Sequence, residues 1–97
     1  MNKRKLAKLR QLAYSYGQTQ PKAITLVSLA KKLGRKEVPR GKEPTYVSEE
    51  FPTLSPLSIP MHKGRDLPPG TRDAILGQLD EDFISWDEKL AEAEHQK

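Results

Sequence analysis

Leu6, Leu9, Leu12, Ala13 and Tyr16 recur at three- and four-residue intervals, with Lys3, Lys5, Lys8 and Arg10 between them. That spacing predicts an amphipathic helix over residues 1–17, with Gly17 as its stop. Residues 18–23 contain a proline and polar residues and read as a loop. Thr25 then predicts the cap of a second helix whose apolar set is Leu26, Leu29, Ala30 and Leu33, with Gly34 free to take the left-handed position after its end. From residue 36 to 60 the helical period disappears. Pro39, Gly41, Pro44, Pro52 and Pro56 divide the segment into short extended pieces, with strands expected near residues 36–39, 45–47 and 57–61. In the last of these Leu57, Ile59 and Met61 alternate with Ser58 and Pro60. After Pro68-Pro69-Gly70, Thr71 predicts the cap of a third helix with Ile75, Leu76, Leu79 and Phe83 facing inward. Ser85 and Glu88 have capping-box spacing, which predicts a separate last helix from Trp86 with Leu90 and Ala93 along one side.

The order helix, helix, three strands, helix, helix implies an α+β fold, a small sandwich in which helices cover one face of a three-stranded antiparallel sheet. Such short strands need an apolar surface to lie on, and the flanking helices supply it. The chain of 97 residues is expected to form one domain. It divides into an N-terminal helix (1–17), a core (18–83) and an acidic C-terminal helix with its tail (84–97). Apolar residues make up 35% and charged residues 31%, enough for a thin core. There is no cysteine and there are only two histidines, so neither a disulfide framework nor a thiolate or histidine-rich metal site is expected. No apolar run exceeds three residues, against the ~18 that a bilayer span needs. The lysine-rich start lacks the apolar stretch of a secretory signal, so the expectation is a cytoplasmic protein without membrane contact.

The formal net charge of +4 conceals a segregation. Residues 1–46 hold 12 Lys or Arg against 2 acids, and residues 47–97 hold 5 against 11. A basic half of this density supplies the counterion-releasing phosphate contacts on which nucleic-acid affinity rests, or else the solvated faces of a soluble protein. Lys31, Lys32, Arg35, Lys36, Arg40 and Lys42 form the main candidate set, because a helix end and the adjoining hairpin could bring them onto one surface. Lys63 follows the third strand. Arg72 opens the third helix, where free N–H groups and the dipole favour phosphate, or where Thr71 and Asp73 form a simple cap. Tyr46 is a candidate for stacking on a base, or a half-buried strand residue.

The segment from Leu57 to Leu79, LSIPMHKGRDLPPGTRDAILGQL, combines a strand, Ile-Pro-x-His, a Gly-containing loop, Pro-Gly-Thr and an amphipathic helix. This string resembles the second half of the HicA toxin family of mRNA interferases. The helix ending at Leu33-Gly34, the basic stretch from Arg35 to Arg40 and the turn at Gly41 follow that family's order, so the resemblance covers nearly the whole chain. It implies a double-stranded-RNA-binding-like fold and an RNA-cleaving toxin that needs no metal or cofactor and is covered by a HicB antitoxin. It also implies a catalytic histidine in a Gly-Ser-His motif near the second strand. This chain departs from that motif, with Gly41-Lys42-Glu43-Pro44 in its place, so that Glu43 stands at the histidine position.

Metal-free RNA cleavage takes a proton from the ribose 2′-hydroxyl and returns one to the leaving oxygen, each transfer contributing roughly 10²- to 10⁴-fold. Histidine suits both roles at neutral pH, whereas an accessible glutamate is a weaker base and adds negative charge where a phosphate approaches. The catalytic candidates are therefore Glu43 and His62, the latter beside Lys63 and Arg65, where it acts as an acid or orders the turn. His95, close to an acidic chain end, is expected to be inert. Three functions are consistent with these features. The first is a HicA-like RNA-binding protein with or without cleavage, and the second a non-catalytic protein-interaction module on the same fold. The third, a small DNA-binding module, ranks last because residues 17–23 exceed the tight turn of a helix-turn-helix.

Overall fold

The first helix opens on Asn2, whose Oδ1 accepts the Lys5 N–H at 2.8 Å, and α1 runs Lys3–Gly17. In the computed structural model, which describes residues 1–39, 41, 43–61 and 65–95, it is followed by α2 (Ala23–Lys32), β1 (Arg35–Val38), β2 (Thr45–Ser48), β3 (Leu57–Ser58) and α3 (Pro69–His95). Leu6 and Leu9 of α1 are buried and Ala13 and Tyr16 pack at the edge of the core, but Leu12 is 37% exposed and lies outside the expected face. The α2 helix starts two residues before Thr25. Its N-cap is Lys22, and the position is set by tertiary contacts: Pro21 O accepts the Leu67 N–H at 3.1 Å and Lys22 bridges Asp66. Gly34 adopts φ 100°, the left-handed conformation that ends α2 and turns the chain into β1.

The sheet is an antiparallel meander in the order β1-β2-β3. The register pairs Arg35 with Ser48, Glu37 with Tyr46 and Tyr46 with Leu57, so these residues share one face. Tyr46 and Leu57 on that face join one core cluster with Leu26, Leu29 and Leu33 of α2 and Ile75, Leu79 and Phe83 of α3. β3 is shorter than expected because Pro60 has no N–H to donate. The Ile59 N–H bonds Pro44 O at 3.2 Å and pairing ends there.

The structure overturns the division of the C-terminal region into two helices. α3 is a single helix of 27 residues that begins at Pro69, ahead of Thr71, and passes through Ser85 without interruption. Ile75, Leu79, Asp82 and Phe83 are buried, and Trp86 and Leu90 continue their stripe at intervals of three and four, so the packing that starts the helix also carries it across residue 85. No helix among the described residues is long and apolar enough to cross a membrane.

Candidate nucleic-acid interface

Two ends of the sheet carry the sequence's candidates. At one end, α2 finishes on Lys31 and Lys32, cations beside the carbonyl end of the helix dipole. Both are exposed and line a shallow depression with Lys5 of α1 and the half-buried Trp86 of α3, facing Glu49 and Glu50. Lys36, on the sheet face opposite Tyr46, places Nζ 3.5 Å from Glu49 Oε1 and so adjoins the same patch. Trp86 is held by the hydrogen bond its Nε1 donates to Leu33 O at 2.8 Å and by an edge-to-face contact with Phe51 at 4.9 Å. Lys89, ion-paired with Glu50, sits 5.5 Å from its ring centroid. Lys5 was absent from the candidates because only the packing of α1 beside α2 brings it to this patch.

At the other end of the strands lies the turn of the β1–β2 hairpin, where Gly41 takes φ 61° and Glu43 is exposed. Pro44 O accepts the Ile59 N–H, and the Thr45 and Ser58 hydroxyls meet at 3.3 Å, so this turn is fastened to the end of β3. The chain leaves Ile59 through Met61 and reaches α2 at the Lys22–Asp66 bridge. The four residues of β1 carry the chain about 13 Å, which separates Glu43 from the lysine patch. Arg40, Lys42, His62 and Lys63, and the side chain of His95, lie outside the described residues.

Arg35 leaves the expected cationic surface. Its side chain and that of Asp82 are each 1% exposed, joined by a bidentate pair in which Nε and Nη2 donate to the two carboxylate oxygens at 2.9 and 2.8 Å. Nη1 donates to Tyr46 O and Ser55 O, both at 3.0 Å. The guanidinium thus ties α3 to β2 and to the loop before β3, and no phosphate reaches it. Arg72 is also occupied. Its Nη1 donates to Thr19 O at 2.8 Å and its Nε to Asp73 Oδ1 at 2.9 Å, fastening the start of α3 to the loop between α1 and α2. Tyr46 is buried and donates its hydroxyl to Glu37 Oε1 at 3.1 Å, which removes it as a base-stacking platform.

Comparison with family models, curated proteins and solved structures returns no match for this chain. The functional reading therefore rests on its own residues. What the patch offers chemically is a group of exposed cations able to contact phosphates, beside a half-buried indole. Glu49 and Glu50 within it lower its net charge.

Proposed function

We propose that the protein is a HicA-like RNA-binding protein of the toxin–antitoxin type, whose RNA contacts centre on Lys5, Lys31, Lys32 and Lys36. The observation that carries this reading is the convergence of α1 and α2 on one patch that presents Lys5, Lys31 and Lys32 beside Trp86, with Lys36 of β1 reaching its edge at Glu49. Support for the family side of the proposal is the element order of α2 to α3 around a three-stranded antiparallel meander, together with the Ile59-to-Thr71 string. In this proposal RNA cleavage, if retained, is slow and metal-independent. Glu43 is exposed and lies at the far end of the strands from the lysine patch, and a carboxylate there replaces the imidazole that the chemistry favours. A HicB-like antitoxin is the protein partner that the resemblance implies.

A labelled single-stranded RNA titrated over a salt series tests this. Four phosphate contacts give log K a slope of about −3 against log salt. Lys31→Glu with Lys32→Glu is expected to weaken binding at least about tenfold and to flatten the slope by about 1.4. Glu43→Gln should change any cleavage by less than about tenfold. Weak binding with a flat salt response favours the second reading, a non-catalytic protein-interaction module. Glu49 and Glu50 on the same patch speak for that one, since they suit a partner bearing both signs of charge.

A further inference from the structure

The α1 and α3 helices lie antiparallel, with Lys3 Nζ 2.6 Å from Glu94 Oε2 and Arg10 Nη1 2.9 Å from Asp87 Oδ2. Among the described residues, none covers their outward side. Ala7, Gln11 and Tyr14 of α1 line an apolar groove there, and Tyr14 is 74% exposed. On α3, Ile84 and Ala91 lie two turns apart on the solvent side, with Ile84 53% exposed. Arg4 and Lys8 flank the α1 stripe and Glu88 and Glu92 flank the α3 stripe, all four exposed.

We infer that this face is a dimer interface for a second copy of the chain, formed about a two-fold axis parallel to the helices. A half-turn about that axis lays α1 of one copy over α3 of the other at an unchanged level along the helices, so the stagger is already fixed by the two ion pairs. Residue 3 is level with residue 94 and residue 10 with residue 87. Tyr14 therefore meets Ile84 of the second copy, Ala7 meets Ala91, and Arg4 and Lys8 come level with Glu92 and Glu88. Each apolar residue finds an apolar one and each cation a carboxylate, the self-complementarity that an isologous contact requires. The alternative two-fold, perpendicular to the helices, stacks the basic α1 on its own copy and brings like charges together. The result is an antiparallel four-helix layer with a sheet on either side.

The 15 residues of α1 span about 22 Å, and two adjacent helices are about 20 Å wide, which gives a footprint of about 450 Å² per copy. That is below the standard interface of about 800 Å² per partner and places the contact among the weak, reversible ones. The inference is independent of the RNA reading, because none of its residues belongs to the lysine patch.

Sedimentation equilibrium of the full chain up to about 500 µM, a concentration at which weak reversible dimers are populated, tests it. A reversible monomer–dimer equilibrium is expected, with Tyr14→Glu and Ile84→Glu each raising Kd at least about tenfold while circular dichroism stays unchanged. The geometry is tested by charge reversal. Arg4→Glu with Lys8→Glu and, separately, Glu88→Lys with Glu92→Lys should each weaken self-association, and combining all four reversals in one chain should restore it. A monomer throughout the range, a dimer insensitive to Tyr14→Glu, or reversals whose combination restores nothing would each overturn the inference.

Discussion

Burial raises the Tyr46 phenol above its ordinary value of 10.0, and the hydrogen bond it donates to Glu37, with that carboxylate's charge, raises it further. The folded chain therefore keeps this proton where the unfolded chain releases it. The stability involved is fully present below pH 10 and is lost as pH rises through the folded value. Urea unfolding of the wild type should show a decline setting in at about pH 10, so that its lead over Tyr46→Phe, about 1 kcal/mol at pH 8 from one hydrogen bond, narrows as pH rises further. Parallel curves for the two proteins would show that the phenol does not carry the effect. A neighbouring strand residue shows where reading by residue type fails. Arg35 stands among Lys31, Lys32, Lys36 and Arg40 and reads as one more surface cation, yet it is buried against Asp82, 47 residues away. Nothing in either residue's local sequence announces the other. Leaving one member of such a pair alone in the interior is what costs about 3 to 5 kcal/mol, so the partner, not the residue type, decides what Arg35 does.

Among the elements, the helices of the N-terminal half and all three strands were legible because hydrophobic period and proline punctuation are local signals. Helix starts were not. Thr25 and Thr71 each lie inside a helix whose first residue is fixed by contacts with distant segments, Pro21 with Leu67 in one case and Thr19 with Arg72 in the other. The Ser85–Glu88 spacing misled most, since a capping box and a pair one turn apart within a helix share the same letters. The two readings differ in energy. As an N-cap, Ser85 would lose about 0.5 to 2 kcal/mol on change to alanine, but inside α3 the same change removes a poorer helix former. Ser85→Ala should thus be neutral or stabilising by up to about 0.5 kcal/mol, read as an unchanged or raised urea midpoint. A loss of 1 kcal/mol or more, by the same scale, would restore the two-helix reading.

At the level of the whole molecule, the charge asymmetry of the sequence folds back on itself. The basic α1 lies along the acidic α3 through Lys3–Glu94 and Arg10–Asp87, Lys36 meets Glu49, and Arg35 meets Asp82. Composition correctly separates the two halves but is silent on their being neighbours, so among the described residues the cationic surface it suggested loses Arg35 and Arg72 and keeps Lys31, Lys32 and Lys36. Charge pairing also contributes little to holding α1 in place. The Lys3 and Arg10 pairs are about half exposed, and pairs of that kind contribute about 0.2 to 1 kcal/mol each and are screened by salt. Leu6 and Leu9, by contrast, are buried in the core cluster, and truncating such a leucine costs about 2 to 5 kcal/mol. Urea unfolding of Asp87→Asn combined with Glu94→Gln, which removes both pairs, should therefore lose no more than about 2 kcal/mol, the sum these two pairs can supply. Leu9→Ala should lose more than that. If the double variant lost more than Leu9→Ala does, α1 would be held by its charges after all, and the thin apolar seam beneath it would be secondary.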